Sequence, residues 1–147
     1  AIEKAMRRFD AEGLTGEFVV GNADNLPWPD EWFDCVIDVA CLQHNDEAAA
    51  RVIVAEIYRV LKPGGRHFSL TTRPGCWGDG TGIRVDSSSY RDLREGPFAG
   101  MGVVRFSSAE QLRALYADFA DFELEHSIRS LDGERHLVAN WIVSCRK

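Results

Sequence analysis

The run Phe33 to Leu42, FDCVIDVACL, narrows the possible folds more than any other stretch of the chain. A strand with one wet face alternates apolar and polar residues, whereas this one is apolar almost throughout. That pattern predicts a strand covered on both faces, of the kind found inside parallel sheets. Parallel neighbours need a crossover, and the sequence that follows can supply it. Asn45 or Asp46 is placed to cap a helix in which Ala50, Ile53, Val54, Ile57 and Leu61 form one apolar stripe. Lys62-Pro63-Gly64-Gly65 stops that helix, and His67 to Thr72 reads as the next strand. Strand, helix and strand make a right-handed βαβ unit with both strands parallel in one sheet.

Around this unit the periodicity changes several times. Ile2, Ala5, Met6 and Phe9 recur at helical spacing and predict a helix over residues 1 to about 11, ended by Gly13. Glu17 to Val20 reads as a short strand, followed by the turn-forming Gly21-Asn22-Ala23-Asp24-Asn25. From Pro74 to about Phe106 glycine is frequent and regular spacing is lost, which predicts a long irregular insert with one helical turn near Tyr90. Ser107 and Ser108 open two overlapping capping boxes, and Leu112, Leu115, Tyr116 and Phe119 predict a helix over 108 to about 118. Phe122 to Ile128 alternates strictly, Asp132-Gly133 turns the chain, and His136 to Cys145 is rich in β-branched and aromatic residues, so the end reads as an antiparallel hairpin. The expected architecture is one α/β domain over 1–147 with an irregular insert at 74–106.

Composition excludes several kinds of function. A formal charge of −6, with no basic cluster interleaved with aromatics, makes nucleic acid an unexpected partner. No apolar stretch is long enough to span a bilayer, and the charged start is unlike a signal peptide, so the expected setting is cytoplasmic with no membrane partner. Cys35, Cys41, Cys76 and Cys145 lie far apart without a Cys-x-x-Cys pair, so no metal site or disulfide framework is expected. The chain has no Gly-x-Ser-x-Gly elbow, zinc helix or phosphate loop of the Gly-x-x-x-x-Gly-Lys type.

Three stretches carry a family likeness in the right order: Gly21 to Val36 (GNADNLPWPDEWFDCV), Leu42-Gln43-His44, and Glu56 to Gly65 (EIYRVLKPGG). Together they resemble class I S-adenosylmethionine-dependent methyltransferases. The resemblance implies a Rossmann-like fold, a mostly parallel sheet closed by an antiparallel hairpin. It also implies that the chain starts after the family's first strand, first helix and second strand, so that the glycine-rich cofactor loop has no counterpart. Absence of Met at position 1 fits either removal of an initiator Met or excision from a longer polypeptide. Gly78-Asp79-Gly80-Thr81-Gly82 has alternating glycines, but no apolar-periodic helix follows it, so it does not meet the requirements of such a loop.

By the same resemblance, Asp24 would accept the adenine amino group of S-adenosylmethionine, with the backbone of Ala23 or Asn25 beside the ring. Val39 and Ala40 would offer carbonyls to the methionyl amine. These positions fall at strand carboxyl ends, where open α/β sheets hold their ligands. Asp24 has a second reading as a simple turn former. His44 has two as well: a general base for a substrate hydroxyl or amine, or a packing residue beside the start of a helix. Asp38 interrupts an apolar strand and must be paired, exposed or protonated. Trp28 and Trp32 either line a slot or cover the core, and Arg73, Tyr90, Arg91 and Asp92 border the insert.

The implied reaction is methyl transfer to a small-molecule nucleophile. The alternative is a non-catalytic module that binds a partner or itself. Without the family's first two strands, Phe33 to Leu42 would become an open edge, so either Glu17 to Val20 pairs with it or a second copy does, giving a homodimer.

Overall fold

A computed structural model describes residues 2–147. The helical spacing at the start forms α1 (Ile2–Glu12), but none of its residues is buried. Phe18 meets Phe9 edge to face at 4.9 Å, and Glu17 to Val20 has no strand geometry. The strand expected there is therefore corrected: its apolar residues have no adjacent strand to pair with, and local β-propensity alone does not make a ladder.

β1 (Phe33–Val39) and α2 (Glu47–Val60) follow, joined by a short 3-10 turn at Leu42–His44. Asp46 is the helix cap, accepting the Ala49 N–H at 2.9 Å. β2 (Leu61–Thr72) starts directly at the end of α2, six residues earlier than the sequence pattern suggests. Leu61 pairs with Phe33, and the register then jumps to Cys35 opposite Arg66, so Lys62 to Gly65 bulge out between the two pairings. From there β1 and β2 run parallel, Val36 beside His67 and Val39 beside Leu70, confirming the βαβ unit.

The insert has more order than its composition suggests: β3 (Ile83–Arg84), β4 (Ser89–Arg91) and β5 (Val103–Arg105) form a small antiparallel sheet. Tyr90 lies in β4, which corrects the helical turn expected there. Cys76, Leu93, Val104, Phe106 and Ala139 make a core under this sheet. α3 (Ala109–Leu115) uses the second capping box, with Ser108 and Gln111 bonding each other's backbone, and ends sooner than its apolar stripe. β6 (Ala120–Leu131) and β7 (His136–Arg146) are the expected hairpin. The main sheet has the order β1-β2-β7-β6, so its parallel part is the single β1–β2 pairing.

The two faces of this sheet differ sharply. Val36, Asp38, His67, Ser69, Thr71, Val143 and Cys145 lie on one face, where α2 and α3 supply Ile53, Val54, Ile57, Leu112 and Tyr116 to the main core. Ile37 and Val39 point the other way and are 67% and 61% exposed. This corrects the expectation that Phe33 to Leu42 is covered on both faces: the described residues cover one face, and β1 has no strand along its outer edge.

Candidate active site at the carboxyl end of strand β1

The end of β1 is shaped by Asp38. Its Oδ1 accepts the N–H of Cys41 at 2.9 Å and of Leu42 at 3.4 Å, while Oδ2 accepts the Ser69 hydroxyl at 2.8 Å. The carboxylate is thus paired, as a nearly buried charge requires. Its grip on two successive amides bends the chain out of the strand just where Ala40 takes φ +64°. A left-handed alanine is unfavourable by itself, so the surrounding bonds must hold it. Ala40 also donates its N–H to Leu70 at 3.0 Å, which anchors the bend to β2.

His44 follows within one turn. Its Nδ1 lies 3.2 Å from the carbonyl oxygen of Val103, and an oxygen without a proton there calls for a donor. Nδ1 therefore carries the hydrogen, leaving the Nε2 lone pair to face the Gln43 amide at 3.4 Å. Phe98 meets the imidazole edge to face at 6.0 Å. The insert thus supplies two of the groups around His44, in the tautomer a general base needs. Neither Phe98 nor Val103 stands out in the sequence, because their relation to His44 depends on how the insert folds back.

The Asn22–Asn25 turn is closed by Asn25 N–H donating to the Asn22 carbonyl at 3.3 Å. Ala23 packs against the main core, to which Leu42 and Ala50 belong. Asp24 is exposed, and its carboxylate makes no ion pair or hydrogen bond among the described residues. It shares no hydrogen bond with Val39, Ala40 or His44; what links its turn to theirs is the core below. Just after this turn, Glu56 and Arg59 of α2 bind the loop from Leu26 to Asp30. This pair was not read from the sequence, where only its i, i+3 spacing gave a hint.

The remaining candidates have local roles. Arg73 lies over Trp141 at 4.5 Å, and Trp141 donates Nε1–H to Ser107 at 2.8 Å. Tyr90 packs in the insert core, while Arg91 and Asp92 are exposed. Trp28 rests against Phe33, and Trp32 is largely exposed. Gly78 and Gly82 are explained by packing: a Cβ there would come within 2.6 Å of the Glu95 carbonyl oxygen and 2.3 Å of the Arg91 one. Among the described residues no three His, Cys, Asp or Glu side chains converge as metal ligands, and no helix is long and apolar enough to cross a membrane.

A parallel crossover and an antiparallel terminal hairpin define an open α/β fold, a class in which ligands are held at strand carboxyl ends. Known proteins narrow this class. Residues 1–65 match the family described as "Methyltransferase domain". The ubiquinone/menaquinone biosynthesis C-methyltransferase UbiE of Desulfotalea psychrophila is 40% identical over 73 residues, 50% of this chain and 28% of the relative. A phthiotriol/phenolphthiotriol dimycocerosates methyltransferase of Mycobacterium leprae is 35% identical over 100 residues, 63% of this chain and 34% of the relative. The matches thus span about a third or less of these relatives' length.

Solved structures share the fold over the whole chain. A methyltransferase from Methanosarcina mazei superposes with a TM-score of 0.77 at 21% identity, covering 100% of this chain and 77% of that one. The 1,6-didemethyltoxoflavin N1-methyltransferase of Burkholderia thailandensis, solved with bound 1,6-didemethyltoxoflavin and S-adenosylhomocysteine, gives 0.64 at 17% identity, covering 98% and 56%. Over residues 1–65 the chain is similar to the methyltransferase domain family, and its fold is that of class I S-adenosylmethionine-dependent methyltransferases.

Proposed function

We propose that this chain takes part in methyl transfer from S-adenosylmethionine to a small-molecule nucleophile at the carboxyl end of β1. The observation that carries this reading is the bend held by Asp38, which turns Ala40 out of the strand immediately before His44. The cofactor supplies an electrophilic methyl on a sulfonium, and its displacement depends chiefly on alignment in a dry slot. In this reading the Val39 and Ala40 carbonyls accept the methionyl ammonium. Asp24, which has no other partner among the described residues, accepts the adenine amino group beside the backbone of Ala23 or Asn25. His44 uses its unprotonated Nε2, turned from the Gln43 amide to the substrate, to take the proton that the nucleophile loses. Isothermal titration of the chain with S-adenosylmethionine tests this. Binding that weakens in Asp24→Ala, and turnover that falls in His44→Gln with affinity kept, is the expected result; no heat up to millimolar cofactor refutes it for this chain.

A second reading rests on the open edge of β1 and the exposure of Ile37 and Val39. An apolar unpaired strand is a template for another chain, and a homodimer would cover it. Sedimentation equilibrium would then show a dimer that Ile37→Asp dissociates. A monomer at micromolar concentration, with rapidly exchanging amides along β1, refutes this reading.

A further inference from the structure

We infer that Glu56 and Arg59 are positioning residues for the adenine end of the cofactor site, setting the Asn22–Asn25 turn through Leu26; this rests on the cofactor assignment proposed above. The two side chains form a fork against each other: Arg59 Nε donates to Glu56 Oε1 and Nη2 to Oε2, both at 2.8 Å. The same fork holds both backbone groups of Leu26. Glu56 Oε2 accepts the Leu26 N–H at 2.9 Å, and Arg59 Nη2 donates to the Leu26 carbonyl at 3.1 Å. Arg59 Nη1 extends the grip to the Trp28 carbonyl and the Asp30 carboxylate, each at 2.9 Å.

The backbone of α2 continues the attachment. The Arg59 and Val60 carbonyls accept the N–H groups of Glu31 at 3.0 Å and Trp32 at 2.8 Å. The loop from Leu26 to Trp32 is therefore fastened to a helix packed in the main core. Leu26 is next to Asn25 and two residues from Asp24, so its peptide plane limits where the Asp24 carboxylate can be presented. Ala23 packs on the core from the other side. Between these fixed points the turn has little freedom, although the Asp24 carboxylate makes no hydrogen bond or ion pair among the described residues.

The pair is partly exposed, at 30% for Arg59 and 18% for Glu56, so its charge attraction alone would contribute modestly. Its geometry points to orientation: a bidentate fork is directional, and a lysine, having a point charge, cannot hold the Glu56 carboxylate and the Leu26 carbonyl together. A mere staple of loop to helix would affect stability and leave affinity alone.

The test compares the intact chain with Arg59→Lys, Glu56→Gln and, as a control, Ile53→Val, which loosens the core face of the same helix. S-adenosylhomocysteine affinity by titration, thermal midpoint, and hydrogen exchange at Asn25 and Leu26 are measured on each. Arg59→Lys is expected to weaken affinity by about tenfold and to speed exchange at Leu26, with Glu56→Gln intermediate and Ile53→Val unchanged in affinity despite its lower midpoint. Arg59→Lys binding as tightly as the unaltered chain, or Ile53→Val losing as much affinity as Arg59→Lys for the same fall in midpoint, overturns the inference and leaves the cofactor assignment standing. Failure of the unaltered chain to bind overturns the assignment and the inference with it.

Discussion

Replacing Asp38 by alanine removes the acceptor for three donors at once: the amides of Cys41 and Leu42 and the hydroxyl of Ser69. Cys41 is exposed and its N–H can turn to water, so its loss costs little. Leu42 and Ser69 are fully buried, and an unmet donor there costs about 1–2 kcal/mol each. The left-handed Ala40 then lacks the bonds that hold it, at about 1 kcal/mol more. Relief from burying a carboxylate offsets part of this, leaving a net loss of about 3 kcal/mol, a large share of the stability usual for a domain. Asp38→Asn keeps an oxygen toward the two amides and an amide group toward Ser69, which can accept instead; its loss is expected to stay near 1 kcal/mol. Urea unfolding followed by circular dichroism reads both. With a slope of about 2 kcal/mol per molar urea, the alanine midpoint falls by about 1.5 M. An alanine variant within about 0.5 kcal/mol of the parent, or an asparagine variant as damaged as alanine, would show that the carboxylate does not hold this bend.

Other expectations concern proton linkage and capping. Burial holds His67 below its ordinary value, opposed by its bond to the Val36 carbonyl and by the Asp38 charge; its Nε2 faces the Tyr116 hydroxyl. Because the unfolded chain then binds the proton more readily, His67 should make stability fall as pH drops through about 6.5, and His67→Gln should flatten that slope in unfolding curves between pH 5 and 8. The Arg59 fork and the Leu26 N–H outweigh desolvation and hold Glu56 down at about 2. Its contribution should be complete above pH 4.5 and fade toward pH 2, a trend Glu56→Gln should abolish. Ser108→Ala removes one half of the capping box and should cost about 1 kcal/mol, read as a lower thermal midpoint with the sheet signal intact. Gly96→Ala puts a Cβ 2.4 Å from the Trp77 carbonyl oxygen at φ +89°, so proteolysis within the insert should accelerate while the main sheet stays protected.

Much of the fold was legible because its signals are local. The stripe of α2, the Asp46 cap, the Ser108 box and the Asp132-Gly133 hairpin turn each depend on residues a few positions apart. The apolar run of β1 likewise announced a strand, although Ile37 and Val39 on its second face are exposed. Pairing is different, because it needs a partner elsewhere in the chain. Glu17 to Val20 has strand composition and no ladder to join, while the glycine-rich insert forms a sheet because Ser89 meets Arg105 and Ile83 meets Arg91.

The same division runs through the candidate site. Asp24, Val39, Ala40 and His44 were recognisable from motif order, and Asp38 from the anomaly of a charge inside an apolar run. What the Asp38 carboxylate binds, which carbonyl sets the His44 tautomer and how Glu56 and Arg59 seize Leu26 were decided only by tertiary structure. Apart from the Asp38 bonds to its own turn, these bonds join residues from 30 to 59 positions apart, and hydrogen bonds of that span carry no periodic trace in a linear chain. Sequence determined which segments must be helix or strand and which groups were available; three-dimensional packing determined which of those groups meet, because direction and distance exist only once the segments have been brought together.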